Sequence, residues 1–97
     1  MSTKTIYGTV SKEGNKISGS GFSVTKQSTG TYLIDFTDNF SEIPAIVGSQ
    51  TGYGEGEGPT DVIDFPFLQK GSATAITGDG TFNKQDRQFS FIAIGKK

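Results

Sequence analysis

The chain has 97 residues, of which 32% are hydrophobic, and nine basic and ten acidic side chains give it a formal net charge of −1. Its length suits one domain, and its basic residues are scattered, which excludes the clustered Lys and Arg of proteins that bind nucleic acid or anionic membranes. The absence of Cys and His removes disulfides, thiolate chemistry, the commonest general base and the commonest transition-metal ligand, so we expect no enzyme, no cofactor and no metal.

Short strands separated by turns follow one another along the whole chain. Eight Phe against only two Leu favour sheet over helix, and 14 Gly indicate many turns. No stretch places apolar residues at helical spacing over three turns. Alternation of apolar and polar residues predicts strands over residues 4–10, 16–18, 22–25, 31–36, 45–50, 61–68, 73–77 and 88–94.

This pattern predicts one all-β domain over residues 1–97, an antiparallel β-sandwich of jelly-roll or Ig-like order. The clearest strand is 31–36, in which Tyr32, Ile34 and Phe36 share one face. In the strand 61–68, Pro66 favours an edge position because proline cannot donate a ladder hydrogen bond. Strict alternation in this strand predicts that Ile63, Phe65 and Phe67 lie on one face. Val62, Asp64 and Leu68 should lie on the other.

A glycine-rich acidic segment interrupts the strands at residues 51–60. Glycine at every second position from Gly52 to Gly58 removes the side chains that hold a strand, which predicts a mobile surface loop. An aromatic ring beside carboxylates is a typical sugar-binding set. The loop and its flank supply such a set in Tyr53, Glu55, Glu57 and Asp61. The alternative role for Tyr53 is a contact that tethers the loop.

A second polar set precedes the last strand. Asp86 and Arg87 offer a carboxylate and a guanidinium that can hydrogen-bond sugar hydroxyls. The alternative for Arg87 is a surface ion pair with Asp86 or Asp79. The stretch from Asp79 to Asp86 also carries oxygen ligands, but it lacks the third-position acid and the terminal Glu of an EF-hand loop, so it predicts a turn and leaves calcium binding open.

Paired carboxylates for hydrolysis are poorly placed. Asp61 and Asp64 point to opposite faces of one strand, and Glu55 and Glu57 stand on a solvated loop, whereas glycosidic hydrolysis needs two acids held about 5–10 Å apart. A carboxylate hydrolase is therefore the weakest of the functions considered.

The last strand is apolar on both faces. Phe89, Phe91 and Ala93 lie on one face, while Ile92 and Ile94 lie on the other. Because a strand of a lone sandwich needs only one apolar face, this excess predicts a subunit interface. Val62 and Leu68 of the strand 61–68 add a weaker contribution to the predicted interface. The alternative is a strand covered by a loop, or ordinary surface Ile.

The N-terminal residues lack the apolar run of a signal peptide, and no later stretch is long and apolar enough to span a membrane. We therefore expect a product made in the cytoplasm without membrane insertion. Release from the cell or association with a particle stays open, and the final localisation stays unknown.

Several spaced motifs resemble small β-sandwich modules of bacteria and phage. They are Gly19-x-Gly21-Phe22-x-Val24, Gly30-x-Tyr32-x-Ile34-x-Phe36, Phe40, Pro44-x-Ile46-Val47 and Asp86-Arg87-x-Phe89-x-Phe91-x-Ala93-x-Gly95. Such modules recur near the C-termini of tail-fibre-like and collagen-like surface proteins, and a more distant similarity is to the H-type lectin domain, a trimeric sandwich. The resemblance implies a homo-oligomer, with a trimer favoured, that serves in adhesion or carbohydrate binding. The alternative is a structural module that trimerises or caps a particle and binds no small ligand.

Overall fold

A computed structural model describes residues 2–52 and 58–97. This part of the chain contains eight strands and no helix, and therefore no helix long and apolar enough to cross a membrane. The strands are β1 (Thr3–Val10), β2 (Lys16–Ser20), β3 (Phe22–Ser28), β4 (Thr31–Phe36), β5 (Ala45–Gln50), β6 (Val62–Leu68), β7 (Ser72–Gly78) and β8 (Phe89–Lys96). The predicted all-β class is confirmed, and every predicted strand is present with small shifts at its ends.

The strands form two antiparallel sheets of four. Sheet I has the order β2-β1-β8-β5 and sheet II the order β3-β4-β7-β6. The first and last strands pair over their full length, from Thr3 opposite Lys96 to Val10 opposite Phe89, and so occupy the centre of sheet I. The sandwich is confirmed, and its division of four and four differs from the four and three of Ig constant domains.

The core lies between the sheets and is largely aromatic. The ring of Phe22 meets Phe91 edge-on with centroids 5.0 Å apart, and Tyr32 packs on Phe89 with centroids 5.2 Å apart. Edge-to-face and tilted pairs of this kind stabilise beyond the area that they bury. The predicted inner faces of β4 and β8 are confirmed, because their inward side chains are all buried.

A bulge in β6 reverses the side-chain pattern at the end of that strand. Asp64 pairs with Ile76, but Phe67 pairs with Thr74, so the register shifts by one residue between them. A one-residue shift moves every following side chain to the other face. The prediction for Phe67 and Leu68 was therefore wrong: Phe67 is 66% exposed, and Leu68 packs against the core. The predicted edge position of this strand is confirmed.

Tyr32 makes the stability of the fold sensitive to alkaline pH. Its hydroxyl donates to the carbonyl oxygen of Lys12 at 2.7 Å. Burial, with a smaller contribution from the negative charge of Asp86, raises the pKa of Tyr32 from 10.0 to about 12. The unfolded chain loses this proton at a lower pH than the folded chain does. Stability is thus fully present below pH 10 and falls as pH rises towards 12.

We expect Tyr32→Phe to remove this part of the alkaline loss. A difference of two pKa units corresponds to at most about 2.7 kcal/mol in the free energy of unfolding, while loss of the hydrogen bond costs about 1 kcal/mol at neutral pH. Urea unfolding of both proteins at neutral pH and between pH 10 and 12 measures the effect. An equal alkaline loss in the two proteins would contradict the assignment to Tyr32.

Candidate functional site

Three of the six predicted ligand residues lie outside the described residues: Tyr53, Glu55 and Glu57. Of the others, Asp61 and Arg87 are brought together, with Arg87 Nε 3.4 Å from Asp61 Oδ2. The Asp61 side chain is only 6% exposed. The pair joins the start of β6 to the segment before β8. Arg87 is thus in an ion pair, but the partners named in the alternative above, Asp86 and Asp79, were wrong, because the partner is Asp61.

Asp86 is engaged in fixing the chain. One carboxylate oxygen lies 2.7 Å from Lys26 Nζ, and the other accepts a hydrogen bond from the N–H of Gly30 at 2.7 Å. Partial burial alone would raise the pKa of Asp86, but these two donors hold it below its usual range. The carboxylate therefore anchors the connection between β7 and β8 to the turn between β3 and β4.

The predicted turn at Asp79 is closed by its own carboxylate. Asp79 Oδ1 accepts hydrogen bonds from the N–H of Thr81 at 2.8 Å, the hydroxyl of Thr81 at 2.7 Å and the N–H of Asn83 at 3.2 Å. The bonds from Thr81, followed by those from Asn83, lower the pKa of Asp79 to about 2. A bridge between Gly78 and Lys84 closes the base of the turn. Within residues 2–52 and 58–97, no group of three Asp, Glu, His or Cys side chains is placed to hold a metal.

This turn displays an aromatic side chain. Phe82 is fully exposed and has a φ of 72°, in the left-handed region that favours glycine. A bulky residue in this region costs of order 1–3 kcal/mol, and strain of this kind clusters at functional sites. Because the ring is fully exposed, it gains no burial that would offset this strain. Phe82 therefore lowers the free energy of unfolding.

We expect Phe82→Gly to raise the free energy of unfolding by about 1 kcal/mol, because glycine adopts the left-handed conformation at no steric cost. Phe82→Ala is the matched control, since it removes the ring and retains the strained φ. Thermal unfolding of the two variants and the parent measures the difference. A Phe82→Gly protein no more stable than Phe82→Ala would contradict the strain.

Phe82 borders a cleft of about 410 Å³ between the turn and the outward surface of β6 and β7. We call it the Phe82 cleft. Val62 and Ile76 supply apolar surface, and Asp64 and Lys84 bring a carboxylate and an ammonium group to its lining. Asp79 also lines the cleft, so it combines an aromatic ring, an apolar wall, two acidic residues and one basic residue.

The outward surface of sheet I is a second candidate. Its strands stand in register, so their outward side chains form three rows across β1, β8 and β5. The rows are Thr5, Ile94 and Ala45; Tyr7, Ile92 and Val47; and Thr9, Ser90 and Ser49. We call these nine positions the sheet I face. None carries a charge, and its middle row is exposed: Tyr7 by 60%, Ile92 by 49% and Val47 by 66%.

The four predicted interface residues do not form one surface. Ile92 and Ile94 lie on the sheet I face, whereas Val62 lines the Phe82 cleft on sheet II and Leu68 packs against the core. Sequence reasoning missed Tyr7 and Val47 because their proximity to Ile92 depends on strand register. A signal for Tyr7 was present, since Thr3, Thr5, Tyr7 and Thr9 form an uncharged alternating series.

No protein-family model, curated protein or solved structure matches this chain. The similarity to tail-fibre-like modules and to the H-type lectin domain therefore stays a prediction from the sequence. The sheet I face and the Phe82 cleft carry the functional argument.

Proposed function

We propose that the protein is a non-catalytic, lectin-like adhesion module that self-associates through the sheet I face and binds carbohydrate. The observation that carries the proposal is the absence of charge from these nine positions, in a chain with 20% charged residues; the next outward residue of β8, Lys96, lies at the margin of the face and pairs with Glu42. A sheet face that meets water normally carries polar and charged side chains. An apolar row flanked by hydroxyl groups instead suits contact with another protein surface.

A second copy of the chain fits this face. In a two-fold contact each patch faces its own copy, so any charge on the patch meets the same charge. An uncharged surface avoids this electrostatic repulsion. Three strands at about 4.8 Å spacing and about 24 Å of strand length give roughly 350 Å² in projection for each copy. Two copies thus cover roughly 700 Å² in projection, which is below the roughly 1,200 Å² of a standard specific interface, so residues flanking the face would have to join the contact.

The shape of the sheet I face supports the same two-fold contact. A hollow of about 260 Å³ lies between β5 and β8, bordered by Val47, Ser49, Ser90 and Ile92. Tyr7 stands on β1, on the other side of Ile92. A two-fold axis along β8 places β1 of one copy over β5 of the other, so that each Tyr7 faces the hollow of its partner. The resemblance stated above favours a trimer, and the solution mass distinguishes the two assemblies.

Light scattering on a sizing column tests the self-association. The two-fold contact predicts a mass of twice the 10.3 kDa of one chain, whereas a mass of three times that value would support the trimer and require a second, different patch on each copy. A single-chain mass at all concentrations would remove the proposed assembly. A glycan array probed with the verified oligomer tests the carbohydrate half, because linked weak sites gain roughly 10²–10⁴ in avidity and become detectable.

A structural role is the second candidate, in which the module trimerises or caps a particle and binds no small ligand. The sheet I face supports both roles equally, so the outcome that favours this one is a stable oligomer with a blank glycan array. A carboxylate hydrolase has less support, because Asp61 and Asp86 are each held in an ion pair.

A further inference from the structure

We propose that the Phe82 cleft is the carbohydrate site of the protein and that its ligand is a neutral pyranose. The inference rests on the proposed function and adds the location of the site and the class of sugar. It starts from Phe82, whose ring is fully exposed on a backbone with a φ of 72°. A pyranose offers an apolar C–H face that stacks on such a ring.

The turn that carries Phe82 is held before any ligand arrives. Asp79 accepts hydrogen bonds from both Thr81 and Asn83, the residues on either side of Phe82. The N–H of Asp79 donates to the carbonyl oxygen of Asn83 at 3.0 Å, which closes the same turn from the backbone. A preorganised backbone loses little conformational entropy on binding, which favours a weak ligand such as a sugar.

The rest of the lining matches the polar edge of a sugar. Asp64 can accept hydrogen bonds from ligand hydroxyls, and the Lys84 ammonium can donate to hydroxyl or ring oxygens. Val62 and Ile76 supply the apolar part of the lining. Because the lining carries two acidic residues, Asp64 and Asp79, and one basic residue, Lys84, an acidic sugar would be repelled and a neutral sugar fits better.

The position of the cleft is compatible with assembly through sheet I. Val62, Asp64 and Ile76 belong to β6 and β7 of sheet II and point away from the core. The sheet I face lies on the opposite side of the sandwich. An oligomer joined through sheet I therefore leaves the Phe82 cleft of each copy open and turned outward, as multivalent binding requires.

Titration of ¹⁵N-labelled protein with lactose, cellobiose and maltose tests the site. We expect amide shifts concentrated at Val62, Asp64, Ile76 and residues 78–84 for at least one of these neutral disaccharides. Phe82→Ala should weaken that binding about tenfold, which is the stacking contribution of one aromatic ring. Phe82→Tyr should retain it because the ring is kept.

Phe67→Ala is the matched control, since Phe67 is also an exposed phenylalanine of sheet II but lies outside the cleft lining. It should bind as the parent does. Sugar shifts elsewhere on the protein, or cleft shifts that Phe82→Ala leaves unchanged, overturn the assignment of the site while the proposed function stands. No shift with any of the three sugars, together with a blank glycan array, overturns both.

Discussion

Ile92→Asp should convert the assembled protein to a single chain of 10.3 kDa without unfolding it. Ile92 stands at the centre of the sheet I face, between Tyr7 and Val47. In a self-complementary contact the new carboxylate is buried twice without a partner charge, and an unpaired buried charge costs about 3–5 kcal/mol. The dissociation constant should therefore rise by at least about 10⁴-fold. Ile92 is 49% exposed in the single chain, so folding itself should change little.

Light scattering gives the mass of the variant, and far-UV circular dichroism with a thermal melt reports its fold. Thr25→Asp is the matched control, because Thr25 is exposed on β3 of sheet II and the substitution adds the same charge on the other side of the sandwich. Thr25→Asp should keep the mass of the parent. An Ile92→Asp protein that also keeps the parent mass would place the interface elsewhere or remove it.

The strands were predictable because their signal is local. Alternation within five to eight residues determines which side chains can face a core, and Tyr32, Ile34 and Phe36 of β4 are buried as their spacing requires. Pro66 likewise restricts β6 to an edge through its own missing N–H. The same local rule failed at Phe67, because a bulge depends on how β6 meets β7 and not on β6 alone.

The candidate sites were less predictable because they depend on pairs distant in the chain. Ile92 was recognised from its own strand, but the apolar row exists only because β8 lies between β1 and β5. The partner of Arg87 is Asp61, 26 residues away, and not the neighbouring Asp86. Phe82 carried a local signal that was not used: an aromatic residue inside a polar turn has no packing role there.

Gly30→Ala should cause a large loss of stability. Gly30 is buried with a φ of 65°, and an added Cβ would lie 2.6 Å from the carbonyl oxygen of Thr77 and 3.0 Å from the N and O atoms of Gln85. All three are backbone atoms, which cannot rotate away. Left-handed strain and this overlap together should cost about 3 kcal/mol or more, which lowers Tm by more than about 10 °C in a domain of this size.

Thr29→Ala is the control for Gly30→Ala, because Thr29 is exposed in the same turn and its substitution should change stability by less than about 0.5 kcal/mol. Gly30 also accepts a hydrogen bond from the N–H of Thr77, and Thr77 in turn holds Gln85 at the base of the Phe82 turn. Gly30→Ala should therefore move the amide resonances of residues 78–84 and weaken sugar binding in the folded protein, while the mass of the assembly stays unchanged. A melt equal to that of Thr29→Ala would show that the turn accommodates a side chain at Gly30, and the supporting role assigned to that contact would be wrong.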